Sequence, residues 1–202
     1  MNTSRLLLLI STLIITFTAC QKEKSAEIPE NNGNTDGSEL GTWNFISLHA
    51  ITKETIEAPG EKLVTVSDYT TIDNKGTITF QNSKMSANNI SFSVNSIAKA
   101  YYYANGVLED SVQAPFAGTI PATSSTSDYE KIGADSIHLK SSTLSVPESG
   151  GSTGSGEGYK LRWEGNRMYM LVNYKGIRQR DVNGHILDAE VEIKGEYTLE
   201  RP

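Results

Sequence analysis

The chain has 202 residues, with 18 Lys and Arg against 24 Asp and Glu for a formal charge of -6, and hydrophobic residues make up 37% of it. That length holds one domain plus extensions, and the acidic balance offers no electrostatic footprint for nucleic acid. A single cysteine excludes both a disulfide framework and a Cys-rich zinc site.

Arg5 is the only charged residue ahead of an uninterrupted neutral run over 6–19, which is rich in Leu and Ile and ends in Thr18 and Ala19. This is the layout of an export signal. As a helix the run reaches roughly 21 Å at about 1.5 Å per residue, short of a hydrocarbon core of about 30 Å, so removal is expected rather than a permanent span. Cys20 follows Thr16-Phe17-Thr18-Ala19 directly, and this stretch resembles the lipobox of bacterial lipoproteins, with Phe17 or Thr16 where Leu is usual. The resemblance implies a signal peptide over 1–19 and acylation of Cys20 by palmitate-type chains; an ordinary signal peptide with an incidental cysteine is the alternative. With each buried methylene worth about 0.8 kcal/mol, several acyl chains would hold the protein to a membrane.

Ile28 is the one large aliphatic residue in 21–39, which has no aromatic residue, too little apolar surface to offset the entropy of ordering. Residues 20–40 are therefore expected to form a flexible tether. Gln21-Lys22-Glu23 resembles the short charged signal that sends some Gram-negative lipoproteins to the outer face of the outer membrane, which implies a cell-envelope location. Asn32, Asn34, Asp36 and Gly37 are spaced like the start of a calcium loop, but Trp43 stands where the bidentate Glu is needed, and the stretch reads as linker.

From Gly41 onward apolar residues recur at every second position. Ile90, Phe92 and Val94 alternate with Ser91, Ser93 and Asn95, as Ala189, Val191 and Ile193 do with Glu190, Glu192 and Lys194. Each segment therefore has one oily and one wet face, which suits an antiparallel sheet covered on one side. Further short strands are expected over 42–51, 63–70, 77–81, 98–103, 107–112, 117–121, 136–139, 158–163, 167–174 and 196–201, with a helix over 127–132. Asn105-Gly106, Asn74-Lys75-Gly76, Glu164-Gly165-Asn166 and Asn183-Gly184 read as turns between them. The Gly/Ser-rich stretch 149–158 lacks the Lys of a phosphate-binding loop and reads as a hairpin loop. The expected class is all-β, an antiparallel barrel or a two-sheet sandwich over 41–202.

Leu40-Gly41-Thr42-Trp43 opens the first strand and resembles the Gly-x-Trp start of lipocalin-like barrels, a beginning shared by many exported bacterial lipoproteins with a lipocalin-like domain. The resemblance implies that Gly41 and Trp43 close the base of the barrel and that a basic residue from the last strand stacks on the Trp; Arg201 is the candidate. A cation over that ring would be worth about 0.5 to 2 kcal/mol. A tryptophan of the ordinary core of a β-sandwich is the alternative.

His49, His138 and His185 lie far apart, without a second ligand at metal spacing, and no Gly-x-Ser-x-Gly or His-Glu-x-x-His pattern occurs. Asp181, Asp188, Glu190 and Glu192 are acidic neighbours, but Glu190 and Glu192 share the wet face of a strand, so a solvated surface explains them better than a glycosidase pair. Neither enzymatic activity nor a cofactor is expected. Tyr101, Tyr102 and Tyr103 alternate in direction, so rings must point outward or into a lumen, where they would suit sugar or lipid contact; cross-strand packing around the Asn105-Gly106 hairpin is the plainer explanation. Asp110-Ser111-Val112 and Asp135-Ser136-Ile137 resemble the O-glycan acceptor motif of some exported bacterial proteins. The expected function is a membrane-anchored, lipocalin-like barrel that binds a small apolar or amphipathic ligand. The alternative is a surface module that engages a protein or glycan partner through Tyr101 to Tyr103.

Overall fold

In the computed structural model, which describes residues 38–141, 157–182 and 184–202, every strand belongs to one antiparallel sheet. The export signal, Cys20 and the tether up to residue 37, the stretch 142–156 and Asn183 lie outside the described residues. Among those described, nine strands follow in chain order: β1 (Gly41–Ala58), β2 (Glu61–Thr70), β3 (Ile72–Gln81), β4 (Lys84–Ala104), β5 (Val107–Ile132), β6 (Ser136–Leu139), β7 (Glu157–Glu164), β8 (Arg167–Val182) and β9 (His185–Glu200). The sheet is single, not the two stacked sheets of a sandwich.

The strands are longer than the sequence pattern suggests, because one strand carries several of the expected segments. The segments 98–103, 107–112 and 117–121 belong to a hairpin of β4 and β5 whose register runs from Ala104↔Val107 to Lys84↔Asp128. Residues 127–132 are strand, not helix: Ser127 and Tyr129 are buried while Asp128 and Glu130 are exposed, a two-residue alternation. Asn74-Lys75-Gly76 is likewise no turn. It is an irregularity inside β3, where the register against β4 shifts on both sides of Lys75. Gly76 sits there at φ +104°, and a Cβ at that position would lie 2.6 Å from the carbonyl oxygens of Asn88 and Asn89, so the close backbone approach requires glycine. At Asn105-Gly106 both residues have positive φ, +50° and +81°, as a two-residue hairpin turn demands.

Pairing differs between the two halves of the sheet. At the end where β1 begins, neighbours run β1–β3–β4–β5–β6–β7–β8–β9, and β9 pairs back to β1, so the hydrogen bonding is ring-like. At the other end β2 replaces β3 between β1 and β4. There, among the described residues, β5 before Tyr129 pairs only with β4, and β8 beyond Leu171 pairs only with β9. Among the described residues the far half is thus a curved sheet of β8–β9–β1–β2–β4–β5, with β5 and β8 at its edges. The tips of the β1–β2 and β4–β5 hairpins touch there, the Asn105 amide donating to the Gly60 carbonyl at 2.8 Å.

One apolar core fills the inside of the ring-like half. Trp43, Phe45, Ile78, Phe80, Met85, Phe92, Leu139, Leu161, Met168 and Leu199 are buried in it. Aromatic edges pack against faces, Phe80 on Tyr129 at 5.5 Å and Phe45 on Phe92 at 6.0 Å. A register shift between Phe45 and Ser47 in β1 lets Leu48 and Ala50 continue the inward face after Phe45.

Candidate functional site

At the ring-like end, Arg201 places its guanidinium 4.4 Å from the centroid of the Trp43 ring and donates to the Ser38 carbonyl at 3.2 Å. Gly41 has φ +109°, a backbone conformation that favours glycine, while a Cβ there would make only an ordinary contact with Arg201 Nη1 at 3.6 Å. Trp43 Nε1 donates to the Glu39 carbonyl at 2.7 Å. Glu39, which the sequence pattern places in the tether, is only 4% exposed. Its carboxylate accepts from Lys131 Nζ at 2.8 Å and from the Tyr129 hydroxyl at 3.4 Å. Burial by itself raises the Glu39 pKa, but the Lys131 bond and charge, its own backbone amide and Tyr129 bring it below the ordinary value. Tyr129, by burial and then by the charge and hydrogen bond of Glu39, is pushed up to about 12.

The inner face of the far half can be followed row by row through the register. One row crosses Arg178, Ala189, Ile56, Leu63 and Tyr102; the next crosses Gly176, Val191, Glu54, Thr65 and Ala100. A third holds Tyr174, Ile193, Thr52 and Ser67, and a fourth Val172, Gly195, Ala50 and Tyr69. Deeper still, Tyr197 pairs with Leu48 and Met170 at the margin of the packed core. Side chains are therefore large and enclosed in the ring-like half, while most of those toward the edges of the far half are small or only partly buried, Arg178 excepted.

Two arginines stand on this inner face and are treated differently. Arg180 forms a two-pronged ion pair with Glu54, Nε to Oε1 at 2.9 Å and Nη2 to Oε2 at 2.8 Å. Arg178 is 7% exposed, and its side chain makes no hydrogen bond or ion pair to a described residue; Nη1 is fully enclosed without an acceptor. The Tyr174 ring lies 5.6 Å from its guanidinium carbon. That ring folds over Gly176, where a Cβ would meet the Tyr174 hydroxyl oxygen at 2.2 Å.

Buried phenols lie below. The Tyr159 hydroxyl donates to Glu157 at 2.5 Å, while the Tyr197 hydroxyl is enclosed without a hydrogen-bond partner. Burial, then the Glu157 charge, pushes both phenols well above the ordinary tyrosine range.

Tyr101 and Tyr103 lie on the face opposite to Tyr102, whose hydroxyl donates to Glu61 at 2.9 Å. Exposed Ile97 shares the outward face of β4 with Tyr101 and Tyr103, and exposed Leu108 pairs with Tyr103. The acidic neighbours of β9 are engaged on the outside: Lys175 binds Glu190 at 2.5 Å and Glu192 at 3.2 Å, and the Asp181 carboxylate accepts from the Gly184 amide at 2.7 Å. His49 meets Asp68 at 2.9 Å on the surface. No group of three or more His, Cys, Asp or Glu among the described residues is arranged to hold a metal ion. Cys20 lies outside them.

Arg178 was not singled out in the sequence, although a signal was there. The alternation Met168, Met170, Val172 and Tyr174, carried on past the expected end at 174, places residues 176, 178 and 180 on the same inner face. No protein-family model matches the chain, and no curated protein matches it.

Proposed function

We propose that the chain is an exported lipoprotein, held to the outer membrane by acyl chains on Cys20, whose β domain is a lipocalin-like barrel. In this reading it binds a small apolar or amphipathic ligand on the inner face of its far half and does not transform it. The observation that carries ligand binding is the contrast along that face. Packed aromatic and methionine side chains give way to Gly176, Ala189, Ala100, Thr65 and a half-buried Leu63, on a curved sheet whose β5 and β8 edges are not joined by any pairing among the described residues. Concave, largely apolar surfaces with a few polar groups are where small molecules bind. The Arg201–Trp43 stack beside Gly41 supports the lipocalin-like reading of the other end.

Native mass spectrometry of the protein taken from its own membrane tests both parts. The expected species carries acyl mass on Cys20 and a co-purifying small molecule. An unmodified Cys20 would overturn the anchor, and a ligand-free polypeptide that takes up no apolar compound would overturn the binding. The exposed Ile97 and Leu108 beside Tyr101 and Tyr103 favour a second reading, a surface module for a protein or glycan. Under that reading, alanine at 101, 102 and 103 would weaken adhesion and leave small-molecule binding intact.

A further inference from the structure

We infer that the inner face of the far half takes a short apolar peptide with free ends, laid across the strands with its carboxylate at Arg178 and its ammonium group at Glu61 and Asp110. This rests on the proposal that the interior binds an amphipathic ligand and names that ligand's chemistry. The register sorts the charges of this face into two groups on either side of an apolar floor. On the β8 side Arg180 and Glu54 satisfy each other, whereas Arg178 is 7% exposed, with Nη1 enclosed and no acceptor among the described residues. On the opposite side Glu61 is in line with Ala104 and Asp110 with Tyr102. Glu61 accepts from the Tyr102 hydroxyl at 2.9 Å and Asp110 from the Ser111 amide at 2.7 Å, and neither forms an ion pair with a described residue. The Glu61 hydrogen bond above all, and also the charges of Glu61 and Glu109, raise the Tyr102 pKa above its ordinary value, as a negative corner requires.

A buried cation without an acceptor is costly, and enclosed polar groups are nearly always paired, so Arg178 calls for an anion. Glu61 and Asp110 call for a cation, and a ligand that carried negative charge alone would leave them unmatched. A molecule charged oppositely at its two ends meets both corners. Between them the row from Arg178 crosses Ala189, Ile56 and Leu63 before Tyr102, which is apolar floor. From β8 to β2 along that row is roughly 14 Å at about 4.8 Å per strand. Three or four extended residues at about 3.4 Å each cover most of that distance, and the arginine and glutamate side chains reach inward for the rest. The neighbouring row places the half-buried Thr65 hydroxyl opposite Glu54, so the floor offers polar partners to amide groups as well as apolar contact. That mixture suits a peptide better than a plain hydrocarbon.

The test uses the full chain in phosphatidylcholine nanodiscs, with empty nanodiscs subtracted. Calorimetry titrates the tetrapeptide Leu-Ala-Ala-Leu beside its N-acetylated form, its C-terminal amide, ω-aminododecanoate and octanol. The free peptide is expected to bind, and each blocked form to bind about ten-fold or more weakly. Matching each variant to one end of the peptide guards against misfolding. Arg178→Gln should bind the free peptide and the amide equally yet still disfavour the acetylated form. Glu61→Gln combined with Asp110→Asn should bind the free and acetylated peptides equally yet still disfavour the amide. Equal binding of all three peptide forms to the natural chain overturns the inference, as does a variant that loses the preference at the wrong end. If octanol binds and no peptide form does, the inference falls and the ligand-binding proposal survives. If no probe binds the natural chain, both fall. Equally tight binding of ω-aminododecanoate overturns the peptide assignment.

Discussion

Arg201 holds its guanidinium over the Trp43 ring at 4.4 Å, joining the residue that follows the last strand to the third residue of the first. The contact is local in space and remote in sequence, so it ties β9 and β1 at the level where their pairing completes the ring-like hydrogen bonding.

Trp43 is 1% exposed, and Trp43→Ala should destabilise by about 3–5 kcal/mol through lost burial and the cavity left behind. Arg201→Ala should cost about 0.5–2 kcal/mol. In urea denaturation the double variant should fall short of the sum by roughly 0.5 kcal/mol or more, the coupling of the stack. Additive losses would show that the contact contributes nothing.

Glu39 gives the protein an acid-side dependence with a definite sign. A carboxyl whose folded pKa is depressed contributes stability that is present above the unfolded value and lost as pH falls through the folded one. Glu39→Gln should therefore cost about 1–3 kcal/mol at neutral pH, where Lys131 loses its partner, and progressively less below pH 4.5. Urea midpoints of both proteins across that range check it; a gap that widens toward acid contradicts the assignment.

The buried phenols set the alkaline limit. Tyr129, Tyr159 and Tyr197 have folded pKa values above 10.0, so their contribution is complete below that pH and declines as pH rises through the folded values. Ultraviolet titration should find these three of the nine tyrosines still protonated at about pH 11 in folded protein, with their ionisation coincident with unfolding. Full ionisation of all nine without loss of circular dichroism would contradict this.

Gly76 and Gly106 separate two reasons for glycine. Both have positive φ, but a side chain at 76 meets the Asn88 and Asn89 carbonyls, whereas one at 106 meets nothing within 4 Å. Gly106→Ala should cost about 1–2 kcal/mol of backbone strain, and Gly76→Ala more than that. Equal thermal shifts for the two variants would show that β3 can shift away from β4 at little cost.

The β class and the inward residues of β1, β4, β7, β8 and β9 were legible because a covered face writes itself as an apolar residue at every second position. Most of β5 was not. From Val107 to Thr126 nearly all its side chains are exposed or half-exposed, so Ala, Ser, Thr and Pro there carry no alternation, and main-chain bonds to β4 hold the strand instead. That gap made one long hairpin look like several short strands, and it made 127–132, a stretch with few apolar residues, look helical. Asn74-Lys75-Gly76 misled for a related reason: residues that permit a turn also permit an irregularity within a strand, and only the partner β4 decides between them. The Trp43 and Arg201 contact could be anticipated from a resemblance, since no local pattern links the two positions. The unpaired state of Arg178 could not be read from sequence at all, because it depends on which acceptors three-dimensional packing leaves out of reach.

Ser38 and Pro202 both emerge at the ring-like end, whereas the turns at Gly60, Asn105 and Gly184 gather at the other. A carrier attached at Ser38 or at Pro202 therefore meets the molecule at the ring-like end and leaves the far turns untouched. Labels or immobilising surfaces that must spare the far half belong at that end; a bulky graft at Asn105 would instead stand against the Gly60 turn.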